Sequence, residues 1–170
     1  MRTTTARAGL TALALTGLIG LSGCSAIEGI LGADQPERDE SGEITEAGEV
    51  DAFAITVGDC LDVAALSGEV TTVPTVPCGE AHDGEVYART DLPDGDYPGE
   101  DAIYAAADEY CLPEFATFIG VDYMESEIEY TPLTPSQGSW DGIDDREVLC
   151  IAQDITTAGG VTGSMAGAGR

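Results

Sequence analysis

The hydrophobic pattern divides the chain into four stretches. Met1–Arg7 carries Arg2 and Arg7 and no acid, and Ala8–Leu21 is almost wholly apolar or small. A basic head followed by a short apolar run predicts an export signal over residues 1–23. The run is shorter than the roughly 20 residues that a membrane span needs. Residues 24–51 then lose the pattern. Asp34-Gln-Pro-Glu-Arg-Asp-Glu-Ser-Gly-Glu43 is polar and acidic and lacks aromatics, which predicts a disordered linker with a reach on the order of 30 Å. The pattern returns over residues 52–155, which predicts one domain of about a hundred residues. Residues 156–170 are mostly Gly, Ala, Thr and Ser, which predicts a disordered tail.

Within the domain the elements are mixed. Phe53–Val57 and Glu85–Thr90 alternate as strands do. Val70–Val76 is β-branched, and Pro74 places it at an edge or a bulge. Leu92-Pro-Asp-Gly95 is a turn. From Glu100 to Gly120, Ile103, Ala107, Cys111, Phe115 and Phe118 form one apolar stripe at helical spacing. Pro113 inside it predicts a kink or two short helices. Glu125–Thr131 and Glu147–Gln153 close the domain as strands. The fold class expected is α+β: a small, mainly antiparallel sheet with one helix across a face.

The apolar run ends in Leu21-Ser-Gly-Cys24, which resembles the lipobox of bacterial lipoproteins. The resemblance implies cleavage before Cys24 and a lipid on its thiol. Cys60, Cys78, Cys111 and Cys150 then remain, and an even number in a small exported domain implies disulfides. Three pairings exist. Cys60–Cys78 and Cys111–Cys150 is the expected one, because it ties two neighbouring strands and staples the helix to the last strand. A zinc site is the rival reading, and it lacks any C-x-x-C spacing.

Charge narrows the function classes. The chain has 6 basic residues, all arginine, against 32 acidic ones. Nucleic-acid binding needs clustered cations to neutralise phosphates, so no nucleic-acid partner is expected. A basic patch on anionic lipid is excluded on the same ground, which leaves the lipid as the membrane grip. Lysine nucleophiles are absent from the sequence.

Several short motifs occur in a distinctive order: Val57-Gly-Asp-Cys60, Val76-Pro-Cys78, His82-Asp-Gly-Glu-Val-Tyr-Ala88, Leu92-Pro-Asp-Gly-Asp-Tyr-Pro98, Pro132, Pro135, Trp140 and Asp145-Arg-Glu-Val-Leu-Cys150. Together they resemble the actinobacterial septum formation family over about residues 57–150. This chain has Ala81-His82 where the family usually has Pro-His, and Asp144-Asp145-Arg146 where it usually has Gly-Asp-Arg. The resemblance implies an envelope protein of high-GC Gram-positive bacteria linked to septum formation. It supplies no reaction.

Candidate site residues are few. His82 is the only histidine. It is a base, ligand or pH switch on one reading, and on the favoured reading a turn residue whose ring Asp83 or Glu85 holds. Asp59 is expected to bond a turn backbone rather than to catalyse. Trp140 is expected in the core, with a ligand groove as the alternative. Arg146 is expected to pair with an acid near Trp140 or to stack on its ring. Two acidic turns, Asp91–Asp101 and Asp141–Glu147, are read as solvated, with Ca²⁺ binding as the alternative. No catalytic residue, metal or cofactor is assigned. The function expected is a non-catalytic, lipid-anchored envelope module on the outer face of the cell membrane, binding an envelope or division protein. A wall-acting enzyme using His82 or paired carboxylates is the alternative, and a Ca²⁺-stabilised structural domain is a further one.

Overall fold

The computed structural model describes residues 35–66 and 70–170. The expected export signal, and Cys24 with the lipid expected on it, lie outside them. Six strands form one antiparallel sheet: β1 (Gly48–Asp51), β2 (Cys60–Leu61), β3 (Thr72–Val76), β4 (Gly84–Asp91), β5 (Glu129–Leu133) and β6 (Glu147–Gln153). Their order across the sheet is β1-β3-β2-β4-β6-β5. Helix α1 (Glu100–Ile119) lies between β4 and β5, and a short α2 (Gln137–Ile143) between β5 and β6.

Both faces of the sheet are covered, which explains why β6 reads as a continuous apolar run. Val148, Cys150 and Ala152 point to α1, where Ala107, Cys111, Phe115 and Ile119 pack on them. Leu149 and Ile151 point to the opposite face, where Val50, Leu61, Val63 and Val73 meet them. The β1–β3–β2 end therefore curls over the face that α1 leaves open. The two expected disulfides are present, Cys60–Cys78 and Cys111–Cys150. In a loop-entropy view, their spacings of 18 and 39 residues correspond to about 3 and about 4 kcal/mol.

Other expectations are corrected. Helix α1 is one 20-residue helix that continues through Pro113. Pro113 and Glu109, whose carbonyl loses its donor, both lie on the solvent face, where water can replace the lost bond. Cys111 and Phe115 anchor the helix to the sheet on either side of it. Phe53–Val57 is not a strand. Asp51 accepts the Phe53 N–H at 2.9 Å and starts a single 3-10 turn, Ala52–Ala54, so the strand lies earlier, at β1. The strand expected at Glu125–Thr131 starts later, after a 3-10 turn at Tyr123–Glu125. β3 is an inner strand despite Pro74. The Pro74 carbonyl accepts from Asp62 on the β2 side, and a strand residue's N and C=O point the same way. The missing N–H therefore faces the spot where the two-residue β2 has already ended.

The expected linker is ordered in its later part. Arg38 bridges to Ile44, Ile44 is buried, and β1 adds an edge to the sheet. The expected tail is packed as well. Val161 exchanges two backbone hydrogen bonds with His82, and Met165 is buried against the α1 side. Arg170 pairs with the buried Asp154.

Candidate functional site

The loop after β4 and helix α2 meet at Trp140. Ser136 caps α2 by accepting the Ser139 N–H, and the Ser139 hydroxyl takes the Ser136 N–H in return. This turn carries Trp140 inward, where it is 3 % exposed. Its indole N–H donates to the Gly95 carbonyl at 2.9 Å, and Tyr97 packs edge-on at 5.9 Å. Arg146 lies over the ring at 3.7 Å. It also donates to the carbonyls of Trp140 and Asp145. The two acids nearest it, Asp94 and Asp144, are solvent-exposed and at 3.7–3.9 Å. Trp140 is thus a core residue, as expected, and Arg146 stacks on its ring, as expected, while its contacts to Asp94 and Asp144 are loose.

This arrangement brings the two acidic turns to one place. A groove of about 780 Å³ runs between the 3-10 turn at Ala52, the start of α1 and the β5–α2 connection. A second hollow of about 600 Å³ shares Phe53, Ile143, Asp145 and Glu147 with it. The carboxylates along the joined groove are Asp51, Glu100, Asp145 and Glu147 in the first part, then Asp91, Asp94 and Asp144 in the second. The two cations there are already engaged. Arg89 pairs with Glu147 at 2.6 Å, and Arg146 is stacked on Trp140. Between the acids stand exposed apolar side chains: Phe53 at 56 %, Ile143 at 63 % and Tyr104 at 43 %.

Burial raises the Glu147 carboxyl above its usual range. Arg89 opposes that shift, and Asp91 and Asp145 add to it. Asp145 is fixed by its own bonds, accepting from the Ser139 hydroxyl at 2.8 Å and the Glu147 N–H at 3.0 Å.

His82 and Asp59 sit outside the groove. His82 is buried, and Nδ1 donates to the Glu80 carbonyl at 2.9 Å. Its Nε2 is buried without a partner. Neither expected neighbour holds the ring. Asp83 accepts from the Val63 and Ala64 N–H groups, and Glu85 accepts from the Ser164 hydroxyl and Met165 N–H. Gly160 lies so close that a Cβ there would come within 2.6 Å of the His82 carbonyl. Asp59 bonds the Thr56 N–H at 2.7 Å, as expected of a turn residue. It also receives both Arg38 nitrogens, at 2.6 and 2.7 Å, a partner that the linker reading concealed. Among the described residues, no group of three or more His, Cys, Asp or Glu is placed to hold a metal ion.

Fold and groove together define a small disulfide-bonded α+β domain with an acidic, partly apolar groove at one end. Sequence comparison takes this further. The family model described as septum formation matches residues 57–168. The chain belongs to the septum formation family, which ties it to the formation of the division septum. Comparison with curated proteins and with solved structures returns no significant match.

Proposed function

We propose that the protein is a non-catalytic binding module that acts in septum formation from the outer face of the cell membrane. Its lipid anchor is Cys24, and its partner is an envelope or division protein. The groove carries this reading. It offers exposed apolar side chains among carboxylates, while the single histidine sits elsewhere, buried and bonded to backbone. The Leu21-Ser-Gly-Cys24 sequence supports the anchor, and family membership supports the septal role. No helix of the described residues is long and apolar enough to cross a membrane.

A fluorescent fusion placed after Arg170 tests the reading in dividing cells. Enrichment at the division plane is expected, with loss of membrane retention in Cys24→Ser. A uniform peripheral signal would overturn the septal role.

One observation favours a second reading, a wall-acting hydrolase. Asp145 and Glu147 face one groove, and burial raises the Glu147 carboxyl against the opposing ion pair with Arg89. An enzyme of that kind needs one protonated carboxyl beside an ionised one. Hydrolysis of wall fragments by the native chain, lost in Glu147→Gln, would establish this reading in place of the first.

A further inference from the structure

We propose that the groove binds an extended, basic segment of a partner protein, with lysine or arginine side chains between its carboxylates and apolar side chains against Phe53 and Ile143. This rests on the binding-module reading and names the chemistry of its partner.

The argument is charge complementarity in a shaped surface. Both groove cations are committed within the protein, Arg89 to Glu147 and Arg146 to the face of Trp140. The carboxylates Glu100, Asp94 and Asp144 remain exposed and without strong partners, since the Arg146 contacts to the last two are 3.7 Å or longer. An anionic ligand would meet net repulsion here, since seven carboxylates line the joined groove against two arginines. A basic one would be drawn in over distance by the whole molecule, which carries a formal charge of −26.

Charge alone would not fix a register, but the apolar residues do. Phe53 and Ile143 are more than half exposed, and both border each hollow, so they sit where the two parts of the groove join. An apolar side chain on the ligand would anchor there, and the aliphatic stems of flanking lysines or arginines would lie along the same surface. A segment added to the edge strand β5 instead would meet Pro132, which offers no backbone donor. Side-chain recognition in the groove therefore fits better than strand addition.

The test uses the full chain and a short labelled peptide of alternating lysine and leucine, read by fluorescence anisotropy. A glutamate-for-lysine peptide serves as control. Saturable binding of the basic peptide is expected, weakening as salt rises. A Phe53→Ser, Ile143→Ser double variant should bind about tenfold more weakly. So should Glu100→Lys. All three side chains are exposed, so the serine variant should melt like the native chain, and Glu100→Lys slightly below it because Glu100 lies in the first turn of α1. Binding that is equal for both peptides, or unchanged in either variant, overturns the proposal. Saturable binding of soluble peptidoglycan fragments without binding of the peptide overturns it too, but leaves the binding-module reading standing. Turnover of those fragments overturns both.

Discussion

Removing the Arg38 guanidinium should cost the domain much of its stability, even though Arg38 lies in a stretch whose composition reads as a linker. Arg38 places two nitrogens on the two oxygens of Asp59, which is 4 % exposed. It also donates to the carbonyls of Gly42 and Ala54. The Asp59 hydrogen bond raises the Arg38 pKa, against an opposing effect of burial. In Arg38→Ala the buried carboxylate keeps only the donors of Thr56. Breaking a buried pair from one side costs about 3–5 kcal/mol. Arg38 is itself 23 % exposed, so water can replace part of what it gave, and the expected loss is about 2–3 kcal/mol. For a domain of this size that is a fall in Tm of roughly 10 °C. Urea unfolding of Arg38→Ala, Asp59→Asn and the double variant measures it. The two single losses should not add, and their coupling should be about 2 kcal/mol. If Arg38→Ala melts within about 0.5 kcal/mol of the native chain, the size of an ordinary surface substitution, the stretch from Glu37 to Ala47 is not docked and the reasoning fails.

The remaining predictions concern other joints of the fold. Cys111→Ala with Cys150→Ala should cost about 4 kcal/mol and Cys60→Ala with Cys78→Ala about 3, read by denaturant titration. An equal or reversed order of the two would refute the loop-length reasoning. Burial would raise the Asp154 carboxyl, but bonds from Thr157, Arg170 and Thr156 outweigh it and hold its pKa well below the ordinary value of about 3.9. The unfolded chain therefore binds more protons in that range, and the Asp154 contribution is present above it and lost as pH falls. The acid limb of the stability curve should be shallower in Asp154→Asn. Arg146→Lys keeps the charge but not the planar group on Trp140. It should cost about 1 kcal/mol and change the tryptophan emission, which reports the single indole.

What the sequence disclosed depended on how local each signal was. The span of β6 was legible because burial on both sides leaves five consecutive apolar or small residues, Val148–Ala152. Helix α1 was legible from its four-residue spacing, and the disulfide pairing followed from those two elements. Helix α2 was missed because Gln-Gly-Ser-Trp-Asp-Gly-Ile contains two glycines and little helix propensity. Its one local sign was the Ser136–Ser139 cap. The docked tail was missed because its main anchor is the Met165 backbone N–H on Glu85, and a backbone donor leaves no mark on composition. Arg38 was missed because its partner is 21 residues away. The acidic turns around Asp94 and Asp144 were noticed singly. Their meeting in one groove was not legible, since its walls come from several separated segments.

The cysteines pair in chain order, the first with the second and the third with the fourth of the disulfide set. A chain threaded out of the cell N-terminus first, as proposed for this one, presents Cys60 and Cys78 to an oxidant before Cys111 emerges. For such a chain, with the Cys24 thiol taken by its proposed lipid, the earliest available partner of Cys60 is also the native one. A simple thiol oxidase would then suffice to reach the native pairing, and a disulfide isomerase, which exists to undo mispaired intermediates by thiol exchange, would have nothing to correct.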